Sequence, residues 1–421
     1  MKNKSLSEIQ KLIEKGVSVP NPESVEIGPE IDAGKISGDG VVIYSGCRLS
    51  GSSTLVLSGA KLGYEGPAII ENCQIGPQVE LKGGFFKDAI FLKKAIAGSG
   101  SHIREGTILE DESRVAHTVG LKNTILFPFV TLGSLINFCD CFMSGGTSRK
   151  DHSEVGSSYI HFNYTPNQDK ATPSLLGDVS RGVMLNQRPI FLGGQGGLVG
   201  PCRLEFGTII AAGSIYRKDE IRPGRLLFEG TGKGGNMPFN PGVYQRIKRT
   251  VENNVIYIAN LFALMQWYIH VRSLFVSSDF PEPLFYSLTE KLNLVLDERI
   301  IRLKELAQKM PDAIKIYKES SKENALPLVL EQKKELYDKW VVLEECFRKN
   351  HSREGDKKLR DMFLGKIHLG FKTSGKDYTT VIKSLKREDS GLGTLWLQGI
   401  VDQITAEIFQ IIPSFRYNRD C

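Results

Sequence analysis

The residues in this chain best placed to do chemistry form a short polar segment, Phe162 to Ser174, which is bounded by prolines and carries an adjacent amide and phenol, Asn163 and Tyr164. A segment of that composition reads as a loop projecting from a regular element, the usual carrier of binding residues. A second stretch, Gly230-Thr-Gly-Lys-Gly-Gly-Asn236, suggests a phosphate loop but fails as one. A hydroxyl residue must follow the lysine to reach magnesium, whereas Lys233 is followed by glycines, so a flexible linker is the expectation. The seven cysteines, Cys47, Cys73, Cys139, Cys141, Cys202, Cys346 and Cys421, are odd in number and show no Cys-x-x-Cys spacing. They read as reduced, mostly buried thiols of a cytoplasmic protein, and no metal site is evident. The net charge of +6 is spread over 421 residues. That balance tolerates anionic ligands but lacks the clustered basic face that nucleic acid requires.

The element that must position the Asn163-Tyr164 loop is a repeat. Ile209, Ile215 and Ile221 lie six apart, and Leu176-Gly177, Val183 and Val199-Gly200 show the same apolar-then-small habit upstream. Neither helix nor simple strand alternation has that period. Six-residue spacing predicts a prism-like, left-handed parallel β-helix in which each hexad is one short strand, three hexads make a coil, and these apolar residues point into the shaft. Ile27-Gly28, Ile75-Gly76, Leu81, Ile96, Ile103, Val115 and Leu132-Gly133 extend the pattern towards the N-terminus. The flat faces of such a shaft rarely hold a deep pocket in one subunit, so a ligand cleft is expected to need a neighbouring copy or a loop.

The predicted organisation is a short amphipathic helix in 1–18, the β-helix in 19–225, a Gly-rich linker in 226–240 and an α-helical domain in 241–421. In the last part a long helix opens at Pro241 and runs through Phe275, Pro281 to Pro283 breaks it, and Leu284–Lys309, Leu326–Lys349, Lys357–Phe363 and Leu395–Ile412 follow, the last after a turn at Gly391-Leu-Gly393. Val255 to Val276 approaches the length of a membrane span, but Asn260, Gln266, His270 and Arg272 within it predict a buried helix of a soluble bundle. No apolar run near the N-terminus is long enough for a signal peptide.

With the repeat in place, the series Asn163-Tyr164, Asn167, Lys170, Leu175-Leu-Gly-Asp178, Ile190-Phe-Leu-Gly193, Leu198-Val-Gly-Pro201 and Thr208-Ile-Ile-Ala-Ala-Gly213 resembles, in order, the acetyltransferase half of the bacterial bifunctional N-acetylglucosamine-1-phosphate uridyltransferase/glucosamine-1-phosphate acetyltransferase, of the hexapeptide-repeat transferase superfamily. Upstream, Ile103-Arg-Glu-Gly106 and Val119-Gly-Leu-Lys122 resemble its two basic motifs. The likeness leaves out the helical half, and these residues carry no counterpart of the family's nucleotidyltransferase domain. The resemblance implies a cytoplasmic homotrimer in amino-sugar metabolism towards UDP-N-acetylglucosamine. It would bind a sugar phosphate or nucleotide sugar and take an acyl group from acetyl-coenzyme A. Carried over residue by residue, Arg104 and Lys122 hold the sugar phosphate, Asn163 and Tyr164 line the sugar and acyl site, Lys170 approaches a phosphate, and Gly194 and Ala212 border the coenzyme cleft. A bidentate guanidinium beside a mobile ammonium suits an anionic sugar.

The departures bear on catalysis. Where the family has its general-base histidine, Gly133-Ser134-Leu135 has serine, whose hydroxyl is far too weak a base at neutral pH. A sugar-contacting tyrosine becomes Asn137, an asparagine becomes Glu154, and Gly194 replaces a serine of the coenzyme cleft. One extra hexad lies between Asp140 and Glu154, and Val179 to Pro189 is a further insertion. Among His117, His152 and His161, the candidate for the missing base is His152, in the inserted Lys150-Asp-His-Ser153, where a neighbouring charge could tune it. His161, between Ile160 and Phe162, is expected to face outward. Two functions follow: an acyltransferase, or a non-catalytic sugar-phosphate-binding or scaffolding protein that has lost acyl transfer and whose helical half docks a protein partner. Neither involves nucleic acid or a membrane.

Overall fold

A strand of two or three residues buries little by itself, but stacked coil upon coil it buries a continuous column, and this is how the first half of the chain folds. In the computed structural model, which describes residues 2–228, 240–321 and 326–416, strands from Glu26–Ile27 to Leu226–Leu227 form a three-sided parallel β-solenoid. Its first and third faces have ten strands each and its second has eight. One coil is Ser101–Ile103 on the first face, Thr107–Leu109 on the second and Arg114–Val115 on the third; the next begins at Val119–Lys122. The turns between the first and second faces use Asn72, Asp88, Asn123 and Asp140 at φ between 48° and 59°, a conformation that Asn and Asp tolerate better than other side chains. The inserted hexad is a hairpin, Gly146–Ser148 against Asp151–His152, projecting between the second and third faces.

The six-residue beat is present, but its phase is one residue away from the expected one. Leu192, Leu198, Leu204 and Ile210 are the buried column, whereas Ile209, Ile215 and Ile221 are 42%, 38% and 52% exposed. A period of six gives neighbouring columns the same beat, so spacing cannot tell the inner column from the outer when both are apolar. The same ambiguity explains His161. It faces inward, buried, in register with Leu198, while Ile160 and Phe162 face solvent.

Helix α1 (Lys2–Glu14) precedes the first coil, with Ile9 and Leu12 buried. Helix α2 (Val179–Gly182) lies in the second insertion. The second half contains α3 (Lys248–His270), α4 (Glu282–Gln308), α5 (Met310–Ser321), α6 (Pro327–Asp338), α7 (Trp340–Lys349), α8 (Lys357–Ser374), α9 (Tyr378–Ser384) and α10 (Arg387–Ile411). Helices α3 and α4 pack on the second face. Every residue of its strands Ala89–Phe91, Thr107–Leu109, Cys141–Met143 and Ser174–Leu176 is therefore buried, one row in the shaft and the other beneath the helices.

Several boundaries differ from the sequence expectation. The first long helix starts at Lys248 rather than Pro241, and 326–349 is two helices. Pro281 is the N-cap of α4. No turn occurs at Gly391 to Gly393, since α10 runs straight through. Gly393 is there for close packing: a Cβ would stand 2.5 Å from Met184 Cε and 2.7 Å from the Phe363 ring. The strand Leu226–Leu227 pairs with Ile209–Ile210 inside the expected linker, of which 229–239, with the Gly230 to Asn236 motif, lies outside the described residues, as does Cys421. Helix α3 is buried along most of its length, and its Asn260 is satisfied by Val179 N (3.0 Å) and Ile256 O (2.9 Å). Among the described residues no helix is long and apolar enough to cross a membrane.

Candidate functional site

The corner between the first and second faces gathers Arg104, Lys122 and Asn163. Coil stacking accounts for it. Arg104 N–H donates to Leu121 O at 2.9 Å, Lys122 is in register with Cys139, and Asp140 follows on the next turn. Lys122 Nζ lies 2.5 Å from Glu105 Oε1. Burial pushes the Glu105 carboxyl up, but the Lys122 ammonium, with Arg104 nearby, brings it below its ordinary range. The Arg104 guanidinium has no hydrogen-bond or ion-pair partner among the described residues, so it is the group at this corner with its donors available to an anion.

Asn163 is held from below. Its Nδ2 donates to Asp140 Oδ2 at 2.6 Å, while Asp140 Oδ1 accepts from Asn123 Nδ2 at 3.3 Å and from Arg299 of α4 at 2.7 Å. Asp140 and Arg299 are both buried. The rest of the loop is also tied to the helical half. Gly242 N–H donates to Asn167 Oδ1 (2.9 Å), Lys309 Nζ to Asn167 O and Gln168 O (2.8 Å each), Tyr244 O–H to Asp169 Oδ2 (3.1 Å) and Asn254 Nδ2 to Ala171 O (3.0 Å). Tyr164 remains exposed, with the Lys170 ammonium 6.0 Å from its ring centroid. The loop thus projects but does not stand free. Asp140 and Arg299 carry no motif, and nothing in the sequence distinguishes Arg299 from the other basic residues of α4.

Gly194 and Ala212 lie on a different corner, between the third and first faces. Successive turns there place His117, Ser134, Ser157, Gly194 and Ala212 in one column. Leu135 N–H donates to His117 O (3.1 Å), Ser134 N–H to Ser157 Oγ (3.1 Å), Gln195 N–H to Ser157 O (2.8 Å) and Gly213 N–H to Gly194 O (2.9 Å). A Cβ on Gly193 would stand 2.3 Å from Ala212 N, which shows how closely these turns stack. His117 Nδ1 lies 2.8 Å from Ser134 Oγ, with the imidazole exposed. The pair is 17 residues apart, about one coil, a spacing that could have connected them in sequence. Between the two corners the first face presents His102, Gly120 and Asn137 outward in one row.

His152 occupies the third corner, on the inserted hairpin. Its Nε2 is 3.9 Å from Glu154 Oε2, and burial, reinforced by the Arg149 charge, pushes its pKa down. The structure brings it to neither of the other groups within one chain. His161 is a structural residue: Nδ1 lies 2.6 Å from Cys139 O and Nε2 2.7 Å from Ser174 Oγ, and burial lowers its pKa to about 4.

A parallel solenoid with a hexad beat, tight small-residue corners and a projecting Asn-Tyr loop resembles the hexapeptide-repeat transferases. Its relatives agree. The chain is 27% identical over 205 residues to the bifunctional protein GlmU of Pelobacter propionicus, covering 48% of this chain and 39% of the relative. For the proteins of the same name from Thermotoga maritima and Nitratidesulfovibrio vulgaris the values are 24% over 215 residues (51% and 42%) and 25% over 235 residues (54% and 45%). The chain therefore spans less than half the length of these relatives. The solenoid resembles their acetyltransferase domain. No protein-family model matches the chain.

Proposed function

We propose that the protein is a cytosolic homotrimeric acyltransferase that binds an amino-sugar phosphate at the first–second corner and acetyl-coenzyme A along the third–first corner. The observation that carries the reading is the stacking of Arg104 and Lys122 on consecutive turns of one corner, with Asn163 two turns beyond Lys122 on the far side of Asp140 and the Arg104 guanidinium unpartnered among the described residues. Arg104 and Lys122 take the phosphate, Asn163 and Tyr164 the sugar, and Lys170 a further phosphate oxygen. The second corner fits an extended, thin ligand. From Ser134 through Ser157 and Gly194 to Ala212 its side chains are small, and three coil steps span about 14 Å at ordinary strand spacing.

The two corners are separated by the width of the first face, roughly 15 Å of extended chain from His117 to Lys122. One copy therefore supplies each half of the site to a different neighbour, which is why assembly belongs to the reading. Apolar side chains flank the third–first corner near the end of the shaft: Phe191, Ile209 and Leu226 on the third face, and Ile160 and Ile215 on the first, all exposed. These suit burial against a second copy.

Isothermal titration with glucosamine 1-phosphate and with acetyl-coenzyme A tests the reading, and both ligands should bind. Arg104→Ala should weaken the sugar phosphate about 10- to 100-fold, the value of a charge-assisted contact, and leave the coenzyme's affinity unchanged. Sugar-phosphate binding without any coenzyme binding sinks the acyltransferase and leaves the non-catalytic reading, which the serine at position 134 favours.

A further inference from the structure

Acyl transfer to an amine needs a group that removes a proton from the attacking nitrogen, and Ser134 cannot do this. Resting on the acyltransferase reading, we propose that His117 is the general base, one coil before the position at which the family resemblance implies a histidine, with Ser134 as the residue that positions it. His117 Nδ1 is 2.8 Å from Ser134 Oγ, and Ser134 is itself fixed by its N–H to Ser157 Oγ and by its carbonyl accepting from Ser158 N–H at 2.8 Å. With Nδ1–H donating to Ser134 Oγ, Nε2 carries the lone pair and faces outward at the head of the small-residue column.

None of the other histidines lies on the small-residue column. His161 is buried with both nitrogens engaged, His152 stands on another corner, and His102 is stacked on Phe85 at 4.9 Å. His270, His351 and His368 belong to the helical half. In the step assigned to His117, the amine nitrogen forms a bond to the thioester carbonyl carbon and the carbon–sulfur bond breaks. Nε2 accepts the proton leaving nitrogen and passes it to the departing sulfur, so that amide and free thiol are the products and the imidazole ends neutral.

Two measurements on the full chain test this. In turnover with acetyl-coenzyme A and glucosamine 1-phosphate, His117→Ala should lose at least about 100-fold in kcat while acetyl-coenzyme A affinity by titration stays within threefold. Added imidazole should restore part of the rate. Ser134→Ala should lower kcat but leave KM for both substrates unchanged. Wild-type kcat in His117→Ala, or loss of turnover in His152→Ala alone, overturns the assignment while acyl transfer itself stands. Independently of turnover, nitrogen-15 spectra of the histidines should show His117 protonated on Nδ1 in the wild type and not in Ser134→Ala. A proton on Nε2 in the neutral wild-type ring also overturns the base. Absence of both acetyl-coenzyme A binding and turnover in the wild type overturns the acyltransferase reading, and this assignment with it.

Discussion

Two buried groups give the stability of this protein opposing responses to pH. Burial pushes the Glu110 carboxyl up to about 7, against the nearby Arg272 charge, and Tyr268 O–H donates to it at 2.5 Å. Burial pushes His161 down to about 4. As pH rises from about 4.5 to 7 the unfolded chain releases a proton that folded Glu110 keeps, so this group's contribution to stability falls. As pH falls from about 6.5 to 4 the unfolded chain takes up a proton that folded His161 refuses, so stability falls in that direction. From about 4.5 to 6.5 the two slopes cancel. Glu110→Gln should expose the His161 slope, making stability climb by roughly 2–3 kcal/mol between pH 4.5 and 6.5 relative to wild type, at about 1.4 kcal/mol per unit. Urea unfolding at several pH values checks it, and parallel curves for the two proteins would falsify it. His161 also shows where residue-level reading stops. The alternation Ile160-His161-Phe162 says that the histidine faces away from its neighbours, but which side is the interior is decided by Cys139 and Ser174, on other coils.

At the scale of elements, α4 decides how the Asn163 loop sits. Lys291, Val295 and Arg299 lie four apart on one helix face. Val295 would meet a Cβ at Gly106 at 3.2 Å, Arg299 pairs with Asp140, and burial holds the Lys291 ammonium below its ordinary pKa against the opposing charges of Asp88 and Glu105. The helix thus tracks the first–second corner turn by turn. Breaking a buried ion pair on one side strands a charge, so Arg299→Met should destabilise the protein by about 3–5 kcal/mol, and adding Asp140→Asn should recover more than half of that. Denaturant midpoints of the single and double variants measure it, and additive losses would dismiss the lock. The corner positions of Arg104 and Lys122 were legible because 18 residues make a coil. Arg299 was not, because its partner lies 159 residues earlier and sequence distance carries no trace of a tertiary pair.

For the whole molecule, the solenoid was legible because a six-residue beat has no rival period, whereas its phase and its clothing were not. The outer row of the third face is mixed along most of the shaft (Val42, Lys61, Glu80, Ile96, Arg114, Thr131, Glu154) and becomes wholly apolar at its end (Phe191, Ile209, Leu226), as the strand pairings place them. If that apolar end joins copies, Ile209→Glu should yield particles near the 46.8 kDa of one chain by light scattering, with an unaltered far-ultraviolet spectrum and no turnover, since charge placed in an apolar contact is costly. An unchanged particle mass dismisses this contact. The ties between Lys309 and the carbonyls of Asn167 and Gln168 have one more implication, for synthesis. At 5–20 residues per second, about 7 to 30 seconds separate translation of the loop from translation of the lysine that fastens it. Through that interval the shaft can coil on the ribosome while its Asn163 loop lacks this anchor, so the loop reaches its final seating only once α4 has been made.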